Sequence, residues 1–196
     1  LRDQHRWPRR DPPLRLSEHE MEPAVESGQN PVSGSAPGRV TWRWLLLAIV
    51  VLVLDQWTKK LVVGHFDLFE RLPVMPYFDL VRLHNTGAAF SFLANASGWQ
   101  NWFFALTALV VSGGLLWWFF QQPAGRVVVP LGLMLVLGGA IGNLVDRLAQ
   151  GYVVDFVLLY YDRWSFPAFN VADMGITCGV MLLLFDGFFL ESRRSS

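Results

Sequence analysis

After a polar opening of about forty residues, the chain passes through long apolar blocks separated by shorter polar connections. Four blocks stand out, each compatible with a membrane span of roughly 20 residues. The first runs from about Thr41 to Val63. Its uninterrupted apolar core, Trp44 to Leu54, is too short alone, so the helix must continue through Asp55-Gln56-Trp57-Thr58. That places Asp55 near a membrane boundary. The second block covers Trp99 to Phe120, with Trp102, Trp117 and Trp118 near its ends, where interfacial aromatics belong. The third, Val127 to Leu148, carries Gly138 and Gly142 at a four-residue spacing that lets helices approach closely. The fourth spans about Asn170 to Leu190, with Asp173 in its first turn and Asp186 in its last. The expected architecture is a membrane α-helical protein, a bundle of four transmembrane helices.

The connections differ in kind. Gly64 to Ser97 is long, punctuated by Pro73 and Pro76, and holds a strand-like run from Phe78 to His84. Loops of this length are usually functional. Residues 121–126 form a tight connection, which makes the second and third helices antiparallel neighbours. The third connection, Ala149 to Ala168, contains Asp155, Trp164 and Pro167. Residues 1–40 are rich in Pro, Arg, Glu, Ser and Gly and read as a disordered tail, with a second short tail at 191–196. No short apolar core with a small-residue cleavage site follows the early basic residues, so this is not a signal peptide. Met21 is the expected natural start, with residues 1–20 as upstream readthrough.

Composition supports the membrane class: 53% of residues are hydrophobic and 16% charged, and the chain holds nine Trp and fifteen Phe. Sixteen basic and sixteen acidic residues balance, so nothing points to nucleic acid as a partner. The basic residues do not orient the chain. Arg39, Arg43, Arg126, Arg193 and Arg194 fall on one side, and Lys59, Lys60, Arg71, Arg82, Arg147 and Arg163 on the other. Cys178 is the single cysteine, excludes an intramolecular disulfide and reads as an apolar packing residue. His65 and His84 lack a His-Glu-x-x-His partner. No metal or other cofactor is expected.

Candidate chemistry centres on Asp155 and Asp173. Carboxylates at or inside a bilayer are costly and are functional-site candidates. Hydrolysis by two carboxyls needs one ionised as general base and one protonated as general acid, and two close carboxyls share a proton as a unit. Eighteen residues separate the pair, so the third connection must fold back for them to meet. Asn170 precedes Asp173 by three residues on its helix face, and Asn143 and Arg147 close the third helix on the same side. Plainer readings stand beside this one. Asp173 complements a helix dipole, Asn170 caps the helix, and Asp155 is a solvated loop residue. Asp55 and Lys59 read first as a helix-surface ion pair, Asp146 as interfacial, and Asp186 as lying on the opposite membrane side. On the residues alone, a proton- or ion-coupled transporter component and a purely structural membrane subunit compete with a hydrolase.

Five ordered motifs add to this. Asp55-Gln-Trp-Thr-Lys59, His84-Asn-Thr-Gly-Ala-Ala-Phe-Ser-Phe92 and Gly138-Gly-Ala-Ile-Gly-Asn-Leu-Val-Asp-Arg147 come first. Val153-Val-Asp-Phe156 and Phe166-Pro-Ala-Phe-Asn-Val-Ala-Asp173 follow. Over residues 41–190 the chain resembles the bacterial lipoprotein signal peptidases, also called signal peptidase II. The resemblance implies an inner-membrane aspartic endopeptidase, both termini cytoplasmic, with a small β-cradle on the periplasmic surface between the first two helices. It implies prolipoprotein substrates whose lipobox cysteine carries diacylglycerol, cut on the amino side of that cysteine, with membrane lipid as the other partner and the enzyme a monomer. It places the catalytic pair at Asp155 and Asp173. Supporting roles fall to Asp55, Lys59, Asn85, Gly87, Asn143, Arg147, Asn170 and Ala172.

Overall fold

A computed structural model describes residues 42–87 and 99–190, all within the unit Pro37–Ser196. The tails expected at 1–40 and 191–196 lie outside the described residues, as does the end of the His84–Phe92 motif. A single 3-10 turn, Trp42–Trp44, leads into α1, Leu45–His65. Two strands follow, β1 (Arg71–Met75) and β2 (Phe78–Asn85), then α2 (Trp99–Phe120) and α3 (Val128–Gln150). Strands β3 (Val153–Tyr161) and β4 (Trp164–Ser165) precede α4 (Val171–Phe185), which ends in a π turn, Asp186–Leu190.

Helix α3 is the centre of the bundle, packing against α1, α2 and α4. Its glycines set the spacing. A Cβ at Gly138 would lie 2.7 Å from the Ala48 carbonyl oxygen and 2.8 Å from the Val51 Cβ. One at Gly139 would meet the Ala172 carbonyl oxygen, so α1 and α4 both press on the bare α3 backbone. Against α2 the contact is a narrow seam, since Ala105, Ser112 and Phe119 are buried at seven-residue intervals. The rest of α2 is apolar and outward-facing, including Leu106, Leu109, Val110 and Trp117. Such a surface is stable against lipid and not against water.

Among the described residues, three helical stretches are long and apolar enough to cross a membrane: Trp99–Phe120, Val128–Gln150 and Val171–Leu190. At 1.5 Å per residue the 22 residues of α2 reach about 33 Å. Helix α1 has similar length but carries Asp55, Lys59 and Lys60 in its second half.

The four strands form one antiparallel sheet in chain order. It sits at the end of the bundle where α1 and α3 finish and α4 begins. Gly151, at φ +80°, caps α3 in the left-handed region and turns the chain into β3. Between Leu80 and Leu83 the β2–β3 register slips by one residue: Leu80 pairs with Val157, yet Leu83 pairs with Asp155. This bulge puts Leu83 and Asn85 on the same face as Asp155 and Val153. The opposite face of β3 packs Val154 and Phe156 on Val62 of α1. After β4 the chain returns along β3, with Phe169 and Val157 exchanging backbone hydrogen bonds of 3.0 and 2.8 Å. That return delivers Asn170 and the start of α4 beside Asp155.

Candidate active site

Asp155 is a strand residue, only 4% exposed, and not the solvated loop residue of the plainer reading. Asp173 is the third residue of α4. Both open on one cleft of about 970 Å³, together with Asn85, Gly87, Asn143 and Arg147. The fold-back across the third connection, which the separation of the two acids requires, is made by β3, β4 and the return past Phe169.

Asn170 ties the acids together. It is fully buried and caps α4. Its Oδ1 accepts the backbone N–H of Asp173 at 3.0 Å, and its own backbone N–H donates to Asp173 Oδ2 at 3.2 Å. Because Oδ1 is committed to that cap, Nδ2 turns the other way and donates to Asp155 Oδ1 at 2.7 Å. The capping role read from sequence and the site role are therefore one arrangement. Asn85 is held similarly: its Oδ1 accepts from Gly87 N–H at 3.0 Å, leaving Nδ2 to donate to Asp155 Oδ2 at 3.0 Å. Asn143 donates from Nδ2 to Asp173 Oδ1 at 2.8 Å.

Burial, with the Asp173 charge adding to it, raises the Asp155 carboxyl from 3.8 to about 7, while the amides of Asn85 and Asn170 and the charge of Lys59 pull the other way. Burial thus favours the protonated form of Asp155. Arg147 borders the cleft with its guanidinium 5.3 Å from the Phe104 ring centre and Nη1 on the Asn143 carbonyl at 3.2 Å. His84 also lines the cleft, stacked on Tyr152 at 3.8 Å. Burial, and then Arg82, hold its imidazole below the ordinary histidine value.

Behind these residues lies a second polar cluster that corrects two readings. Asp55 and Lys59 are not a surface pair: they are 0% and 3% exposed. Asp146 is not interfacial but 4% exposed and ion-paired to Lys59 at 2.8 Å. Lys59 Nζ also reaches Asp55 Oδ2 at 2.8 Å and Asn143 Oδ1 at 3.0 Å. Asp55 Oδ1 accepts the N–H of Ala172 at 2.8 Å, and Gln56 donates to Asp146 at 2.8 Å. Ala172 is fully buried between Gly139 and Gly142, where little more than a methyl fits. Gln56, Asp146 and the cleft-lining His84 are among the site-region residues to which the sequence reading gave no role. Asp146 follows Asn143 by three residues and shares its helix face, which was the available signal. Cys178 is a third correction: it is exposed and lines the cleft, so it is not a packing residue. Asp186 is buried at the far end of α4, about 20 Å from Asp173 by helical rise.

The described geometry can now be set beside known proteins. The family model for signal peptidase (SPase) II matches residues 47–189. A lipoprotein signal peptidase of Acinetobacter baumannii is 50% identical over 151 residues, which is 77% of this chain and 86% of that protein. One of Photorhabdus laumondii subsp. laumondii is 47% identical over 153 residues, covering 78% of this chain and 92% of the relative. Among solved structures, a bacterial membrane enzyme determined in meso at 2.3 Å resolution aligns with a TM-score of 0.68 at 28% identity. That alignment covers 78% of this chain and 94% of the other.

Proposed function

The chain belongs to the signal peptidase II family and removes signal peptides from prolipoproteins, and we infer that it does so as an aspartic endopeptidase. Asp155 and Asp173 are its acid pair. The observation that carries this reading is the convergence of two carboxyls on one cleft through a single buried amide, Asn170. A transporter's acids would be spread over bilayer depth, whereas these two share one end of the bundle.

Both acids receive N–H donors on both oxygens, Asp173 from Asn143 and the Asn170 backbone, Asp155 from Asn170 and Asn85, so burial rather than hydrogen bonding assigns the roles. Burial favours the neutral form of Asp155, raising it to about 7, which suits the general acid and leaves Asp173 as the general base. A water between them loses one proton to Asp173 as its oxygen bonds the scissile carbonyl carbon. Asp155 gives its proton to the carbonyl oxygen, forming a gem-diol. The C–N bond then breaks, the amine takes a proton from Asp173, the gem-diol returns one to Asp155, and the starting pair is restored. Arg147, at the rim, is placed to hold a substrate carbonyl.

Four helices span the bilayer in this account. The three apolar stretches are joined by α1, whose Asp55 and Lys59 are buried and paired with each other at the site end. Both termini are cytoplasmic, the cleft opens on the periplasmic side of the inner membrane, and the sheet forms a cradle there. The substrate is a prolipoprotein whose cysteine carries diacylglycerol, cut on the amino side of that cysteine by a monomeric enzyme. The acyl chains stay among lipid-facing helices, where packing against the helix surface, not transfer out of water, selects the lipidated form.

The test is a pair of substrates differing only in the diacylglyceryl group, incubated with the purified protein in detergent micelles and followed by product mass. Cleavage on the amino side of the modified cysteine in the lipidated substrate alone is expected. Equal cleavage of both, or cleavage elsewhere, would overturn the substrate assignment.

A further inference from the structure

We propose that Asp146 and Lys59, neither of which lines the cleft, are positioning residues that fix which end of the Asn143 amide faces Asp173. The inference rests on the acid-pair reading above and goes beyond it by giving the buried cluster a role in the reaction. An ammonium has three N–H donors and no acceptor. Lys59 spends all three, on Asp55 Oδ2 at 2.8 Å, Asp146 Oδ2 at 2.8 Å and Asn143 Oδ1 at 3.0 Å. Since a cation can only donate, the Asn143 atom facing it must be the oxygen. Its Nδ2 is then turned to Asp173 Oδ1 at 2.8 Å, and Asp173 must accept there. Asp173 Oδ1 is in this way held as an acceptor, and the carboxyl is oriented on the cleft.

Asp146 holds the ammonium in place and is itself anchored. Gln56 Nε2 donates to its Oδ1 at 2.8 Å and to the Gly142 carbonyl at 3.2 Å. The other carboxylate oxygen of Asp146, Oδ2, lies 3.4 Å from the backbone N of Val154, next to Asp155. Gly142 admits Asp55 to the cluster, since a Cβ there would lie 2.6 Å from Asp55 Oδ2. One ammonium is thus joined through α3 to the helix that bears one acid and through Asp146 to the strand that bears the other.

Charge gives the proposal a readout that packing alone would not move. The charged groups facing the acid pair are Asp55 and Lys59 from α1, Asp146 and Arg147 from α3, and His84 from β2. With Asp55 and Asp146 ionised, the Lys59 cluster carries one net negative charge. Asp146→Asn keeps shape and an acceptor oxygen for Lys59 but removes that charge. Both limbs of the kcat/KM profile then move to lower pH, by about half a unit or more. The loosened Asn143 lowers kcat roughly ten- to a hundredfold with KM nearly unchanged. Adding Lys59→Met restores the cluster's net charge and weakens the amide lock, leaving Asn143 Oδ1 only the longer bond from Asn170 Nδ2 at 3.3 Å. The limbs return toward their original positions while kcat falls below that of Asp146→Asn alone.

The experiment is pH-resolved cleavage of the lipidated substrate by wild type, Asp146→Asn and Asp146→Asn/Lys59→Met, with thermal unfolding in detergent as the folding check. Asp155→Asn and Asp173→Asn run beside them. Activity in either of those two variants refutes the acid pair itself. If both are inactive, and Asp146→Asn keeps the wild-type kcat and limb positions, the positioning role is refuted and the acid pair stands. A folded double variant with wild-type kcat also refutes it. If the double variant does not fold, Asp146→Asn alone decides.

Discussion

Replacing Asn170 by Asp tests the site at its most constrained point. Aspartate is as good an N-cap as asparagine, so the carboxylate oxygen in the Oδ1 position still accepts the Asp173 N–H and the start of α4 survives. What changes is the atom 2.7 Å from Asp155 Oδ1, where an N–H donor becomes a carboxylate oxygen. Two carboxylate charges about 4–5 Å apart repel by about 4 kcal/mol at an effective dielectric of about 20. That corresponds to nearly three pH units before relaxation, so the alkaline limb of kcat/KM should rise by at least about one unit. At pH 7 the lost donor and the extra proton together lower kcat/KM by about a hundredfold or more. The assay is signal-peptide release from a lipidated substrate between pH 4 and 9, with unfolding measured at pH 5. An unfolding midpoint within a few degrees of wild type shows that the cap is intact. A variant whose kcat/KM stays within about threefold and whose alkaline limb does not move would refute the account of Asn170.

Three further outcomes are expected. The folded protein holds the Asp155 proton more tightly than the unfolded chain, so the stability from that group is full below about pH 4 and is lost as pH rises through about 7. Moving this carboxyl from 3.8 to about 7 corresponds to about 4 kcal/mol. Thermal unfolding in detergent should therefore show a midpoint that falls from pH 5 to 8 in wild type and is flatter in Asp155→Asn; equal slopes would contradict it. Gly138→Leu forces α1 off α3 at Ala48 and Val51 and should destabilise by about 1–3 kcal/mol or more, measured by the same unfolding. Alkylating Cys178 in the cleft wall should block cleavage, with Cys178→Ala active and immune to the reagent; continued cleavage by fully alkylated wild type would contradict the placement.

The legible parts of the chain were those with a strong period or a strong local signal. The α2 and α3 blocks are long and apolar, and strand β2 follows two prolines with a run of strand formers, so each could be read directly. Strand β3 could not. Its first four residues, Val153 to Phe156, are buried on both faces, so the alternation that marks a strand is missing. Asp155 was thus foreseen as part of a pair but not as a strand residue. Asp146 was hidden for a related reason: one residue from an arginine at a helix end, a carboxylate looks solvated, and only the fold shows its partner to be Lys59, on another helix. Asn170 could be read as a cap from its place before an apolar run, yet its second bond, to Asp155, depends on a chain return of tertiary origin. Cys178 looked like core because α4 is apolar all round, which in a membrane protein does not separate the inward face from the outward one.

The acid pair is the centre of the account, and the most direct measurement is single-turnover cleavage of a diacylglyceryl prolipoprotein by Asp155→Asn and Asp173→Asn. Each variant must be shown folded by its unfolding midpoint and by retained binding of the substrate. Each is expected to bind substrate and to release no signal peptide above the uncatalysed level at any pH. Release by either folded variant at a rate near that of wild type would contradict the account.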